Sequence, residues 1–167
     1  MACRITEYMK TELIAPELQA ADKAALLLEI ATLVSHAVPT ISSSELHTKL
    51  VEREQKASTG ADHGVAIPHA TITSADRMLV VFGKSVVGIP FNALDNEDST
   101  LFFAVISPSK PKETDASYLQ VISSICRLMR SASLRERLRS TRTAIEILQL
   151  IKTEEEFRLA QPSSIAP

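Results

Sequence analysis

Cysteine is scarce in this sequence: Cys3 and Cys126 are the two thiols among 167 residues, and they form no C-x-x-C pair or Cys/His cluster. That spacing offers no disulfide framework and leaves isolated thiols of a reducing compartment, with the cytoplasm as the default. Long apolar runs are missing too. Nothing approaches the ~18 consecutive apolar residues of a membrane span, so no direct membrane insertion is expected. The N-terminal Met-Ala-Cys-Arg-Ile-Thr-Glu lacks the basic segment and hydrophobic core of a secretory signal. Excess positive charge is absent as well, with a formal net charge of −2. This argues against nucleic acid or an anionic membrane surface as the main partner, since both need clustered cations. There is no internal repeat, and residues 159–167, ending in Gln161-Pro-Ser-Ser-Ile-Ala-Pro167, read as a disordered tail. Residues 1–158 fit a single domain, long enough to bury roughly 70% of its unfolded surface without staples.

Apolar spacing places helices at both ends of the chain. Leu26, Ile30, Leu33 and Ala37, widened by Leu27 and Val34, predict an amphipathic helix from Asp22 that stops before Pro39. Ser42 with Glu45 is a capping-box pattern that opens a second helix, with Leu46 and Leu50 inward and Arg53 and Glu54 at its C-terminal end. The middle changes period: Val65–Pro68, Met78–Gly83 and Leu101–Ile106 read as strands, with Lys84–Val87 extending or pairing with the second. The segment from Ile5 is ambiguous, with a short strand expected around Glu12–Ala15. After a polar loop from Pro108 to Thr114 come three more helices. The first carries Leu119, Ile122, Ile125 and Met129. The others start from capping boxes at Ser133/Glu136 and Thr143/Glu146. Helices before and after a central set of strands predict an α/β fold with helices on both faces of one sheet. The sheet should be mixed, because the connections between Met78 and Ile106 are too short for helical crossovers. The basic run Arg127, Arg130, Arg135, Arg137, Arg139 and Arg142, balanced by Glu136 alone, reads as a solvated helix face; a docking surface for an acidic partner is the lesser alternative.

The stretch that organises the rest is Ala57-Ser-Thr-Gly60-Ala-Asp-His63-Gly64-Val-Ala-Ile-Pro68-His69-Ala70. Gly60 and Gly64 admit backbone conformations closed to other residues and let an anion approach the main chain, while Ser58 and Thr59 supply hydroxyl donors. Val65, Ala66 and Ile67 form a buried run. Pro68 is tolerated at a strand end, so His69 is expected at the lip of the sheet. A neutral imidazole can attack a phosphoryl group, and with an ordinary pKa of ~6.5 histidine is mostly neutral at cytoplasmic pH. Alone, a histidine here reads more readily as half-buried against a backbone carbonyl; its neighbours favour the chemical role. His63 either helps hold an anion or is a loop residue in water, and His36 and His47 read as surface residues. No cysteine or helix-borne ligand pair accompanies His63 and His69, so no metal is expected.

With Leu50-Val-Glu-Arg53-Glu54 before it, then Thr59-Gly60 and Gly64-Val-Ala-Ile-Pro-His69, this segment resembles the enzyme IIA proteins of the phosphotransferase system, fructose/mannitol/nitrogen-regulatory class. Gly88-Ile-Pro-Phe-Asn-Ala-Leu-Asp95 and Leu101–Ile106 continue the similarity. The resemblance implies a phosphotransferase with a phosphohistidine at His69 on the outer ring nitrogen. Arg53 would neutralise the transferring group, and no cofactor is needed; by their own chemistry Ser58, Thr59 and Gly60 would donate to its oxygens or serve as ordinary turn residues, and His63 would help hold it or lie in water. It implies phosphorylated HPr or its nitrogen-branch relative as donor, with enzyme IIB or a regulatory target as the next partner. No fused IIB or IIC segment is expected. Three positions depart from the family's pattern. Ala61 and Asp62 stand where isoleucine and glycine are usual, and Tyr118, in Tyr118-Leu-Gln-Val-Ile122, stands where a second histidine is common. A phenol donates a hydrogen bond to phosphate but does not become a cation near neutral pH, so slower transfer is expected. That departure also keeps open a non-catalytic regulatory binding protein on the same fold.

Overall fold

The computed structural model describes residues 3–113 and 116–161. Thr114 of the expected polar loop and residues 162–167 of the expected tail lie outside the described residues. One mixed sheet is built from β1 (Ile14–Ala15), β2 (Val65–Ala66), β3 (His69–Ile72), β4 (Leu79–Ile89) and β5 (Ser99–Pro108). Its order is β1-β4-β5, with β2 and β3 both on the outer side of β5. The β4/β5 pair is antiparallel and the other pairings are parallel, as the short connection between β4 and β5 requires.

β2 and β3 are one strand with an interruption. Val65 lies opposite Leu101, Ala66 opposite Phe102, His69 opposite Val105 and Ala70 opposite Ile106, without a slip. Ile67 and Pro68 leave the ladder because proline has no N–H to give it, although the Pro68 carbonyl still accepts from the Val105 amide at 2.9 Å. The expected strand end at Pro68 is therefore wrong in extent. The alternation of His69, Ala70, Thr71 and Ile72 resumes the strand, with Ala70 and Ile72 buried. Lys84–Val87 extends β4, through an irregular register between Lys84 and Ile89.

Helices cover both faces. α1 (Lys23–Ala37) and α2 (Ser43–Lys56) bring Leu26, Ile30, Leu46 and Leu50 onto Ala70, Ile72, Phe102 and Ile106. α3 (Tyr118–Met129), α4 (Ala132–Ser140) and α5 (Ala144–Ala160) bring Val121, Ile125, Leu138 and Ile151 onto Val80, Phe82, Leu101 and Phe103. One aromatic pair anchors each layer, Phe91–Phe102 at 5.5 Å and Phe82–Phe103 at 5.0 Å between centroids, both edge-on. The N-terminal segment makes two 3₁₀ turns, Ile5–Tyr8 and Thr11–Leu13, before β1.

Asp22, Ser42 and Thr143 cap α1, α2 and α5 through their side chains. Two helix starts differ from expectation. The reciprocal capping box belongs to α3, where Ser117 and Gln120 exchange bonds. α4 is capped by Ser131, which accepts from the Leu134 amide, and not by Ser133. α3 ends so close to α4 that Ser131 is the residue left extended between them, while Ser133 already lies in the first turn. The arginine run is not a purely solvated face. Arg135 is buried and donates to the Met129 carbonyl at 2.6 Å. Arg139 donates to the Thr100 hydroxyl and the His63 carbonyl, tying α4 to the loop before β2. Residues 159 and 160, assigned to the tail from sequence, close the last turn of α5.

Ser131→Ala should cost about 1 kcal/mol of folding stability through the lost cap. Ser133→Ala should stay within about 0.5 kcal/mol of the parent in the same urea denaturation series.

Candidate functional site

α2 runs along β3, the outer strand, and is fixed to it at both ends. At its start, the Glu45 carboxylate accepts from the Thr73 amide (2.6 Å), the Thr73 hydroxyl (2.5 Å) and the Ser74 amide (3.2 Å), just beyond β3. That commitment is why Ser42 and Glu45 do not complete a capping box: the glutamate reaches forward to the sheet. The hydroxyls of Ser74 and Thr73 and the Thr73 amide hold the Glu45 carboxyl down to about 2. At the other end, Arg53 Nε donates to His69 Nε2 at 3.0 Å, and Arg53 Nη1 donates to the Ala57 carbonyl at 2.9 Å.

The His69 ring is oriented from both sides. Nδ1 lies 3.0 Å from the Ile67 carbonyl oxygen, which can only accept, so Nδ1 carries the hydrogen and Nε2 carries the lone pair. Burial of the ring, and secondarily the Arg53 guanidinium, hold the imidazole below its ordinary pKa; the bond to Ile67 and the charge of Glu54 oppose them. The ring is therefore neutral at pH 7, with its outer nitrogen nucleophilic and facing a guanidinium.

A cleft of about 280 Å³ opens here, with Lys49, Glu52, Arg53 and Lys56 of α2 on one wall and Tyr118 of α3 on the other. His69 and Thr71 of β3 and Val105 and Ser107 of β5 form its base. The Tyr118 ring stacks toward His69, with centroids 6.1 Å apart and planes at 23°. This arrangement suits a small dianion seated on Nε2.

Three of the residues singled out from sequence, His69, Arg53 and Tyr118, meet in this cleft; Ser58, Thr59, Gly60 and His63 are not among its lining. The Ser58 hydroxyl donates to the Phe91 carbonyl (2.5 Å) and accepts from the Gly60 amide (3.0 Å). Thr59 gives its hydroxyl (2.6 Å) and its amide (3.0 Å) to Glu54, a buried carboxylate that also pairs with Lys23 at 2.9 Å. At Gly60 a Cβ would lie 3.0 Å from Ala93 and from the Phe91 carbonyl, so the backbone here approaches the 91–93 segment of this chain closely. His63 is exposed, with φ 64° beside Gly64 at φ 74°, and its amide donates to Asp95. The cleft also contains Lys49, Lys56, Thr71 and Ser107, which sequence reading passed over. Once Arg53 is set toward the site, Lys49 and Lys56 follow at helical spacing, and Thr71 follows His69 at the strand period. Ser107 is placed only by the register of β5. Among the described residues no group of three or more His, Cys, Asp or Glu is arranged to hold a metal ion.

Residues 7–154 match the family model described as "Phosphoenolpyruvate-dependent sugar phosphotransferase system, EIIA 2". The chain belongs to this family of EIIA proteins, whose membership supports a phosphocarrier role in general terms. A nitrogen regulatory protein of Pseudomonas aeruginosa is 30% identical over 129 residues, 77% of this chain and 82% of that protein. A fructose-specific EIIA component of the phosphotransferase system from Haloferax volcanii is 35% identical over 89 residues, 53% of this chain and 56% of that protein, so the chain spans just over half of that relative's length. The fold is shared with the crystal structure of nitrogen regulatory protein IIA-Ntr from Neisseria meningitidis. That match has a TM-score of 0.78 at 24% identity and covers 88% of this chain and 98% of that one. No helix among the described residues is long and apolar enough to cross a membrane.

An NMR titration of the imidazole should place the His69 midpoint below ~6.5, and Arg53→Ala should move it upward. Since the folded value is depressed, the unfolded chain binds the extra proton first. The stability this ring contributes should be complete above ~6.5 and lost as pH falls through the folded midpoint.

Proposed function

We propose that this protein is a histidine phosphocarrier of the phosphoenolpyruvate-dependent phosphotransferase system. It takes a phosphoryl group on His69 from phosphorylated HPr or its nitrogen-branch relative, then passes it to enzyme IIB or reports its own phosphorylation to a regulatory target. The observation that carries this reading is the neutral His69 ring, with Nδ1 committed to Ile67 and the lone pair of Nε2 turned to Arg53 at 3.0 Å. In the transfer, Nε2 forms the new P–N bond as the donor's P–N bond breaks, and that bond's electron pair stays on the donor imidazole. The proton stays on Nδ1, which donates to the Ile67 carbonyl, and that acceptor steadies the positive charge the ring acquires. Arg53 releases Nε2 and donates to phosphoryl oxygens, and Lys56 adds positive potential, while Lys49 is paired with Glu52 at 3.2 Å. Phosphoryl transfer needs mainly such positioning and charge stabilisation.

A second reading, a regulatory binding protein with impaired transfer, is favoured by one observation: the cation-free phenol of Tyr118 stands against the His69 ring, 6.1 Å away.

Incubation with enzyme I, HPr and phosphoenolpyruvate should yield acid-labile, base-stable phosphate on the protein. His69→Ala should abolish it, His63→Ala should leave most of it, and Arg53→Ala should slow labelling about 10²-fold. Label surviving in His69→Ala would remove the assignment. Wild-type protein that takes no label from any cognate carrier would favour the binding-protein reading. Tyr118→His should speed transfer in the same assay.

A further inference from the structure

Beneath the imidazole is a polar pair that the reading above leaves unused. Thr71 lies two residues beyond His69 on the same side of β3, about 6.6 Å along the strand. Its register partner on β5 is Ser107, and the two hydroxyl oxygens are 2.8 Å apart. Both line the cleft with His69. Ser107 is 7% exposed, whereas Thr71 is open to solvent. Each hydroxyl has one hydrogen to give, and the bond between them uses one of the two. If the buried serine donates to threonine, the remaining hydrogen belongs to the exposed Thr71 and can point into the cleft; one hydroxyl feeding another also strengthens the outward donor.

From this geometry we infer that the Thr71 hydroxyl donates to an oxygen of the phosphoryl group carried on His69, with Ser107 as the residue that positions it. The inference rests on the phosphocarrier reading and extends it. Arg53 approaches Nε2 from α2, Thr71 supplies a neutral donor from the sheet, and the dianion is held from two directions. A neutral donor suits a carrier, which must keep the group and still release it. It adds a directional bond without another full positive charge in a cleft that already holds Lys49, Arg53 and Lys56. A bond made in the resting phosphohistidine and loosened as the P–N bond lengthens stabilises the ground state more than the transition state, so it should slow loss of the group to water.

The test uses potassium phosphoramidate, which phosphorylates histidine without a protein donor: Nε2 bonds to phosphorus as the reagent's P–N bond breaks and ammonia leaves. The half-life of phospho-His69 and its ³¹P chemical shift are then followed at fixed pH for wild type, Thr71→Val, Thr71→Ser and Ser107→Ala, with thermal unfolding measured alongside. Thr71→Val, which keeps β-branched shape on an exposed position, should shorten the half-life about tenfold and shift the ³¹P line. Thr71→Ser should retain the wild-type values, and Ser107→Ala should show a smaller loss. Should Ser107→Ala fail to fold, the two threonine variants decide. Wild type labelled at His69 with the same half-life and line position in Thr71→Val would overturn this inference and leave the carrier reading intact. Failure of wild type to label at His69 would overturn both.

Discussion

The hydrogen bond from Arg53 to His69 joins the C-terminal end of α2 to the start of β3, and the site exists only while those two elements keep their alignment. Glu45 maintains it from the far end, where its carboxylate gathers the Thr73 and Ser74 groups just past β3. Leu46 and Leu50, on the buried side of α2, press the helix against the sheet between these two points. Helix and strand are thus pinned at both ends and packed in the middle. A guanidinium on a long flexible stem is thereby held at one place beside one ring nitrogen.

Within that frame the electrostatics have a definite direction. A histidine beside a cation and half out of water loses its proton readily, and the loss exposes the lone pair that nucleophilic attack needs. The Arg53 guanidinium that disfavours the imidazolium would also favour a phosphoryl dianion, so under the proposed reading one arrangement serves both the empty and the loaded ring. The Glu54 charge opposes this field without overturning it, and Lys23 at 2.9 Å balances that carboxylate.

The Ser-Thr-Gly loop has a structural task. Its hydroxyls and amides connect α2 to the segment around Phe91, and Lys23 completes the connection from α1, 4.5 Å above the Phe91 ring. Gly64 takes a left-handed backbone where a Cβ would lie 3.1 Å from the Arg139 guanidinium. That arginine donates to the neighbouring His63 carbonyl. The glycines and hydroxyls of this loop are also the means by which it meets its own protein closely.

The sequence by itself determined the layered α/β class, the antiparallel central pair, the inward faces of α1 and α2, and the histidine at the sheet's edge. Each follows from a local period or from a connection too short for any alternative. On α3 the expected face was rotated, since Leu119 is exposed and Val121 and Leu128 are buried with Ile125 and Met129. Local chemistry was less decisive where several residues competed for one role, as with Ser131 and Ser133 at the start of α4, since a capping pattern does not say where the preceding helix stops. Only tertiary structure decided which donors remain free. Thr59 and Ser58 are consumed by Glu54 and Phe91, whereas Thr71 meets Ser107, 36 residues away, on the base of the cleft. A hydrogen-bonding group's availability depends on what the fold brings within 3 Å of it, and that distance is set by packing between segments far apart in the chain.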